Sequence, residues 1–331
     1  MEIAVDAMGG DGAPDVEVQG ALAAARELGI RIRLVGKKEL IEKALDGNWN
    51  GENLSIHPCD EWVRMDEAPL KAVRKKKDAS IRVAFDLVKK KQVAAVVSAG
   101  NSGATMAASV LTLGRMEGAE RPAIASVFPG QRGPVVVIDV GANVDCKPKH
   151  LFQFGLMAHA FASVCLGVEN PKIGLLSIGE EGSKGNEQVR LTRELFESSK
   201  LNFWGNVEGR DIFTGEVDII VCDGFVGNVA LKLTEGMAET FAMMLEKEMM
   251  SSVAGKAALL LGRRSLKRFS EKLDYAEYGG APLLGVNGVG IICHGSSSPK
   301  AIKNAVKLAV RYAENNTLER MSGMLLKNRN K

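Results

Sequence analysis

The sequence predicts a Rossmann-like α/β/α fold with a largely parallel sheet, and two observations support this prediction. Runs of aliphatic and β-branched residues alternate with longer segments of helical period, the order found when crossover helices join parallel strands. Several of these runs are apolar throughout, which indicates strands covered by helices on both faces. The 331 residues allow one large unit or two joined lobes, and we expect residues 1–331 to form a single α/β unit.

The first third of the chain shows the alternation most clearly. Pro14 suits the first turn of the first helix, where its missing N–H leaves no hydrogen bond unmade. Further apolar runs predict four more buried strands along the chain. We predict strands at 3–7, 30–36 and 54–59, helices at about 14–28 and 39–45, and later strands at 93–99, 135–141, 172–179 and 217–224.

One segment departs from this alternation. Residues from about 226 to 269 predict two long helices joined near 251–255, a helical hairpin that projects from the sheet. The apolar tip is followed by Arg263 and Arg264, a combination suited to the interfacial layer of an anionic membrane. Packing against a second subunit explains the same residues equally well. The predicted tip residues are Met249, Met250, Leu259, Leu260 and Leu261.

Composition excludes several classes of protein. The 43 Lys and Arg against 40 Asp and Glu give a net charge of +3, too small to predict nucleic-acid binding. The five cysteines are scattered through the chain, as is typical of reduced thiols, and no paired Cys or His spacing indicates a metal. The start, MEIAVDA, lacks the positive charge and long apolar core of a secretory signal. We therefore expect a cytoplasmic protein, at most peripheral at the inner face of the membrane.

Glycine-rich turns of one type follow the predicted strands. A buried strand that ends in Gly and then enters a helix leaves backbone N–H groups that can hold an anion such as phosphate. Each turn alone also suits an ordinary strand-to-helix connection. Because ligands of open α/β sheets bind beyond the carboxyl ends of the strands, we expect the turns to converge. They lie at 6–12, 98–104, 139–145, 178–187, 223–228 and 294–300.

Three side chains in these turns are candidates for catalysis. Lys184 could neutralise a phosphate oxygen, Asn228 could donate to an oxyanion, and His294 could act as an acid or base. Each residue also has a structural explanation. These explanations are a solvated loop lysine, a helix cap and a buried histidine satisfied by the backbone.

The sequence lacks the motifs of several other classes of enzyme. The nearest match to the dinucleotide-binding fingerprint, at Gly10 and Gly12, lacks the third glycine. The second predicted strand also does not end in the acidic residue that would bind the ribose. The sequence contains no P-loop and no serine-hydrolase elbow. Cys146 and His150 would need to share a helix to act together, and Pro148 intervenes. The sequence therefore predicts neither a nucleotide cofactor nor a metal.

Six motifs occur in one order at characteristic separations. They are VDAMGGD at 5–11, SAGNSGA at 98–104, DVGANVD at 139–145, IGEEGSKGNE at 178–187, DGFVGNVALK at 223–232, and GAPLLGVNG at 280–288 with HGSS at 294–297. Together they closely resemble the PlsX family of phosphate acyltransferases of bacterial phospholipid synthesis, and the resemblance covers nearly the whole chain.

The resemblance implies transfer of a long-chain acyl group from acyl carrier protein to inorganic phosphate. The acyl phosphate formed would serve a downstream membrane glycerol-3-phosphate acyltransferase of the PlsY type. The resemblance also implies a homodimer of isopropylmalate/isocitrate dehydrogenase-like architecture, related to phosphotransacetylases, without a nucleotide cofactor. Peripheral membrane contact through an apolar helical tip is implied as well.

On this resemblance we hypothesise a role for each turn. Backbone N–H groups at 9–11 and 101–103, with Lys184, bind phosphate. Asn228 then stabilises the oxyanion and His294 protonates the departing thiolate. The predicted substrate-binding residues are Asp6, Gly9, Gly10, Asp11, Asn101, Ser102, Gly103, Asp139, Asn143 and Ser296.

Alternatives from other classes stay open on the sequence. One is a phosphotransacetylase-like or decarboxylating dehydrogenase-like enzyme of the same architecture. Another is a non-catalytic, membrane-bound scaffold for lipid enzymes.

Overall fold

The computed structural model describes residues 1–47, 53–273, 278–314 and 316–329. Helices and strands alternate as the sequence predicts. In chain order they are β1 (Glu2–Asp6), α1 (Asp15–Leu28), β2 (Arg31–Gly36), α2 (Lys38–Leu45), β3 (Leu54–Pro58), α3 (Pro69–Lys75), α4 (Ser80–Lys89), β4 (Ala95–Ser98), α5 (Ser102–Leu113), β5 (Ala123–Pro129), β6 (Pro134–Ile138), α6 (Pro148–Cys165), β7 (Ile173–Leu176), α7 (Glu187–Glu197), β8 (Phe203–Val207), β9 (Ile219–Val221), α8 (Gly224–Met250), α9 (Val253–Leu273), β10 (Ala281–Leu284), β11 (Val289–Ile292), α10 (Pro299–Glu314) and α11 (Thr317–Lys327).

The described strands form one sheet in the order β3-β2-β1-β4-β11-β10-β5-β6-β9-β7-β8. The five strands from β3 to β11 are parallel to one another, and so are β6, β9, β7 and β8. Between these two halves lie β10 and β5, and every pairing from β11 to β6 is antiparallel. The prediction of a layered, largely parallel sheet is therefore confirmed.

The two middle strands change where the glycine turns lie. Three successive antiparallel pairings, β11 to β10, β10 to β5 and β5 to β6, reverse the strand direction between the two parallel halves. The turns after β1, β4 and β11 thus leave the sheet in one direction, and those after β6, β7 and β9 leave it in the other. Strand direction alone therefore predicts convergence of the turns within each half and does not predict it between the halves.

Both faces of the sheet are covered. In β1, Ile3 and Val5 belong to one buried cluster and Ala4 belongs to the other. Helices α1, α6, α10 and α11 supply residues to the first cluster, and α4 and α5 supply the second. A strand covered on both faces places most of its side chains in the core, which explains why the strand interiors are apolar and why Asp6 and Ser98 lie at strand ends.

Helices α8 and α9 occupy the segment in which two long helices were predicted, and residues 251–252 separate them. Gly224 and Gly227 are the buried residues of α8, and both lie in its first turn. At the predicted tip, Met250, Leu260 and Leu261 are exposed, and Met249 and Leu259 are half-buried. Among the described residues, no helix combines the length and the apolar character needed to cross a membrane.

Candidate active site

A cleft of about 150 Å³ lies where the two halves of the sheet meet. The junction is narrow, because β10 and β5 share only the pairs Leu283 with Ile124 and Leu284 with Ala123. Both halves contribute polar groups to the cleft wall, so some of the turns do meet despite the change of direction. The wall is formed by Ser102, Ile124, Ser126, Val127, Val140, Gly141, Asn228, Leu231, Lys232, Glu235, Gly280, Ala281, Ile292, Cys293 and His294.

Asn228 reaches the cleft because α8 begins unusually close to the turn after β6. A Cβ atom on Gly227 would overlap the carbonyl oxygen of Asp139. A Cβ atom on Gly224 would lie 2.5 Å from Oδ2 of the same aspartate. Gly141 in the facing turn has a φ of 123°, and a Cβ there would lie 3.2 Å from Asn228 Oδ1. These glycines therefore allow the two backbones to touch and place the Asn228 amide beside the turn.

Asn228 does not cap the helix, which was its alternative explanation. Asp223 is the N-cap, and its Oδ1 accepts the Phe225 N–H at 2.9 Å. Asp223 Oδ2 accepts the Cys146 N–H at 2.7 Å, which fixes the start of α8 to the segment before α6. The Asn228 amide is thus not used for capping.

Asp139 and Asn143 hold the turn after β6 in shape. Asp139 Oδ1 accepts the N–H groups of Ile124 and Ala142, at 3.0 and 3.1 Å. Its Oδ2 accepts the Asn143 N–H at 2.7 Å and Asn143 Nδ2 at 2.9 Å. Burial raises the pKa of the Asp139 carboxyl, and these hydrogen bonds oppose that effect. Neither residue lines the cleft, and the structure uses both within the turn.

The N-terminus of α5 forms the opposite wall. Asn101 is the N-cap: its Oδ1 accepts the Ala104 N–H at 3.0 Å, and its backbone oxygen accepts the Thr105 N–H at 2.9 Å. The N–H groups of Ser102 and Gly103, in the first turn of α5, therefore have no hydrogen-bond acceptor among the described residues. Ser102 lines the cleft and both residues are exposed. The positive end of the α5 dipole is therefore accessible.

The turn after β1 supports this wall from behind. Asp6 is buried, its Oδ2 accepts the Ser98 hydroxyl at 2.8 Å, and burial raises the pKa of its carboxyl. A Cβ on Gly9 would lie 2.6 Å from the Gly100 nitrogen, so the turns after β1 and β4 pack backbone to backbone. The Asp11 N–H donates to the Gly295 carbonyl at 2.8 Å. Two turns of the first half are thereby joined to the turn that carries His294.

Glu17 of α1 completes this support. Its side chain is only 1% exposed, and the carboxyl accepts the Gly10 N–H while Oε2 has no hydrogen bond among the described residues. Burial raises the pKa of the Glu17 carboxyl to about 7, and the nearby Asp6 and Asp11 add to the rise. The N–H groups of Gly10 and Asp11, predicted to bind phosphate, are thus engaged within the protein.

His294 lies at the end of β11 and is exposed, in contrast to the alternative of a buried histidine. Its Nδ1 accepts the Ser296 N–H at 3.2 Å and lies 2.8 Å from Ser296 Oγ. When the ring is neutral, this arrangement puts its proton on Nε2. Ser296 therefore orients the imidazole, and Nε2–H is left able to donate a hydrogen bond into the cleft.

The structure gives the cleft a lysine that the sequence analysis did not select. Lys232 lines the cleft, and its Nζ lies 2.7 Å from Glu235 Oε2. It follows Asn228 by four residues, so both lie on one face of α8. Lys184 is exposed in the loop between β7 and α7 and is not part of the cleft wall.

Cys146 does not form a nucleophile pair with His150. Burial, with Asp223 nearby, raises the pKa of the Cys146 thiol to about 12, so it carries a proton at neutral pH. The His150 ring instead contacts Glu120 through Nε2 at 3.2 Å and accepts the Lys147 N–H at Nδ1. Within the described ranges, no group of three His, Cys, Asp or Glu side chains could hold a metal ion.

Comparison with known proteins identifies the family. Residues 1–320 match the family described as "Fatty acid synthesis protein". The chain is 54% identical over 329 residues to a phosphate acyltransferase of Geotalea uraniireducens, covering 99% of this chain and 95% of that protein. The chain belongs to the PlsX family of phosphate acyltransferases. A phosphate acyltransferase of Geobacter sulfurreducens is 56% identical over 323 residues, covering 97% of this chain and 93% of that protein.

Membership of the PlsX family makes this protein an acyltransferase of fatty acid and phospholipid synthesis. Solved structures agree on the fold. A phosphotransacetylase from Streptococcus pyogenes aligns with a TM-score of 0.66 at 17% identity, covering 95% of this chain and 94% of that chain. A 4-hydroxythreonine-4-phosphate dehydrogenase from Klebsiella pneumoniae aligns with a TM-score of 0.55 at 15% identity, covering 95% of this chain and 99% of that chain. At these identities the likeness concerns the architecture alone.

Titration of Glu17 predicts a pH dependence of stability in this PlsX-family protein. Between pH 4.5 and about 7 the folded protein keeps a proton on Glu17 that the unfolded chain releases. The free energy of unfolding should therefore fall as the pH rises through this window, by at most roughly 3 kcal/mol for this group. In Glu17→Gln this contribution should be absent, as shown by urea unfolding from about pH 5 to about pH 8.

A matched control is Glu39→Gln on the exposed side of α2. This variant should follow the wild-type pH profile. If Glu17→Gln did the same, Glu17 would be ionised in the folded protein at low pH and the argument from its burial would be wrong.

Proposed function

We propose that the cleft binds inorganic phosphate beside the thioester of an acylated acyl carrier protein, and that the protein transfers the long-chain acyl group to phosphate. One observation carries the proposal: the cleft brings the α5 N-terminus, Asn228, Lys232 and His294 to a single concave surface. These are the groups that this reaction needs in a member of the phosphate acyltransferase family.

Phosphate binds at the α5 side of the cleft. The N–H groups of Ser102 and Gly103 and the positive end of the helix dipole attract an anion. Lys232 supplies a full positive charge from the facing helix, and Glu235 holds its ammonium at the wall. Phosphate is thereby stripped of part of its water and held against the second substrate.

The reaction proceeds by direct attack. A phosphate oxygen forms a bond to the thioester carbonyl carbon, and the carbonyl π electrons move onto its oxygen. When the tetrahedral intermediate collapses, the C–S bond breaks and sulfur leaves with the electron pair. The attacking hydrogenphosphate loses its proton as the acyl phosphate forms, and the thiolate takes up that proton while His294 Nε2–H donates a hydrogen bond to the sulfur. The products are acyl phosphate and the free thiol of the carrier protein.

Asn228 stabilises the negative charge that builds on the carbonyl oxygen. Its amide is held in place by the close packing of α8 on the Asp139 turn, so little reorganisation is needed during the reaction. Removing such a donor typically lowers kcat by about 10²–10³.

Replacement of the amide tests the reaction and its site together. Acyl carrier protein thioester, phosphate and hydroxylamine should yield phosphate-dependent acyl hydroxamate with the wild-type protein. Asn228→Ala should lower kcat by about a hundredfold or more with little change in either KM, because the lost interaction forms mainly in the transition state. Absence of phosphate-dependent hydroxamate from the wild-type protein would reject the proposed function itself.

Replacement of Lys232 and replacement of Lys184 should have different effects on the phosphate KM. Lys232→Ala should raise the phosphate KM about tenfold or more, because a charge at the cleft wall is lost. Lys184→Ala is the matched variant in an exposed loop, and its phosphate KM should stay near the wild-type value. The reverse result would assign phosphate binding to Lys184, as the sequence hypothesis does, and require the loop after β7 to close over the cleft.

We also propose that the protein is a homodimer with peripheral membrane contact, and that its acyl phosphate is consumed by a PlsY-type membrane acyltransferase. Support comes from the hairpin, where α8 exposes Met237, Phe241 and Met244, and where Leu261 at the tip is 87% exposed. Apolar surface of this extent is typical of an interface with a subunit or a membrane.

Substitution at the tip separates these two contacts. Leu260→Gln with Leu261→Gln should abolish flotation with vesicles containing phosphatidylglycerol while sedimentation velocity still reports a dimer. A variant that loses the dimer and still floats would assign the tip to the subunit interface instead.

A further inference from the structure

Helix α3 carries an exposed basic surface that the chemistry described above does not use. This surface, which we call the α3 patch, consists of Lys71, Arg74, Lys75 and Lys77 around Leu70. Leu70 is 47% exposed and lies in a shallow depression together with Pro69 and the stems of the basic side chains. The patch thus combines positive charge with a small apolar centre.

The positive charges of the α3 patch are not paired with any acidic side chain that the structure describes. The neighbouring cations are paired, Arg64 with Asp66 and Lys76 with Glu67, each at 2.6 Å. Within the described residues, none of the patch cations forms an ion pair, and residues 69–77 contain no acidic residue. The uncompensated charge of this one segment exceeds the net +3 of the whole chain. Such a concentration of one sign attracts a partner surface of the opposite sign.

The patch adjoins the cleft at two points. A Cβ on Gly103 would lie 2.8 Å from Pro69 Cγ, so the start of α3 touches the α5 N-terminus. Asn101 Nδ2 donates to the Met65 carbonyl at 3.1 Å, and the Met65 side chain packs against Gly295, next to His294. Met65 is also exposed. The segment 65–70 therefore forms a partly apolar rim between the basic surface and the cleft.

We infer that the α3 patch is the docking surface for an acidic face of the acyl carrier protein, which presents its thioester arm to the cleft across the rim at Met65. This inference rests on the proposed function, since the donor of the acyl group is taken to be carried by a protein. Carboxylates of the carrier pair with the basic side chains, and an apolar residue of the carrier covers Leu70.

The position of the patch favours a carrier protein over a membrane. A thioester held on a protein must be delivered to the reacting groups, and the rim at 65–70, which joins the patch to the cleft, touches the two turns that carry Gly103 and Gly295. A lipid surface requires a larger apolar area than Leu70 and Met65 provide, and the described part of the chain offers that area on the hairpin instead.

Charge reversal tests the inference directly. Lys71→Glu with Arg74→Glu and Lys75→Glu should raise the KM for palmitoyl-acyl carrier protein about tenfold or more at low salt, with kcat nearly unchanged. Activity with palmitoyl-pantetheine, which lacks the protein, should match the wild type. In the wild type, added salt should raise the KM for the carrier substrate, and this salt dependence should be lost in the variant.

The matched control is Lys89→Glu with Lys90→Glu and Lys91→Glu. These residues are an equally basic, exposed cluster at the end of α4, which precedes the amino end of β4 and so lies away from the α5 start. This variant should keep the wild-type KM. If the α3 variant unfolds, Arg74→Ala and Lys75→Ala singly should show graded increases in KM.

Binding measured without turnover separates failure of the inference from failure of the proposed function. Fluorescence anisotropy of labelled acyl carrier protein should report binding that the α3 reversal weakens and the α4 reversal does not. A wild-type protein that makes acyl phosphate while the α3 variant binds and reacts normally would overturn the docking site. Loss of flotation with phosphatidylglycerol vesicles in that variant, at unchanged carrier KM, would assign the patch to lipid instead.

Discussion

The position of the cleft depends on one narrow junction, at which β10 and β5 share two residue pairs. Strand direction reverses between the two parallel halves, and the cleft lies where they meet. There the start of α5 from one half faces the start of α8 from the other. Lys232 and the start of α5, whose Ser102 and Gly103 N–H groups have no acceptor among the described residues, border the same opening, which suits an anion.

The glycines of the turns serve mainly to let backbones approach. Gly227 touches the carbonyl of Asp139, and Gly9 touches Gly100, in both cases at distances that leave no room for a side chain. Several N–H groups in these turns are engaged by the protein itself, such as that of Asp11 with Gly295. In the proposed reaction, anion binding is therefore assigned to the α5 N-terminus, and the turns after β1 and β11 pack behind it.

The sequence was informative where burial left a clear pattern. Strands covered on both faces are apolar throughout, so β1, β4, β6, β7 and β9 could be predicted closely. The antiparallel strands β10 and β5 were not predicted. A run as short as Ala281–Leu284 is a weak strand signal, and its sequence does not record the direction of the strand.

The site shows a second difference from the sequence hypothesis. Lys184 was assigned to phosphate because all the turns were expected to converge, and it lies in an exposed loop outside the cleft wall, although the turn after the parallel strand β9 does reach the cleft. Asn228 and His294, both selected from the sequence, line the cleft, and their catalytic roles stay predictions. Lys232 could have been found from its four-residue spacing after Asn228, which puts both on one helix face.

Helix α8 links two regions that are far apart. Asn228 lies near its first turn and Met250 at its last residue, and an α-helix of this length between them spans roughly 33 Å. Beyond the first turn the helix has little contact with the sheet, so it is a long helix anchored mainly at its N-terminal end. A contact that immobilises the distal end would therefore also restrict the orientation of the Asn228 amide in the cleft.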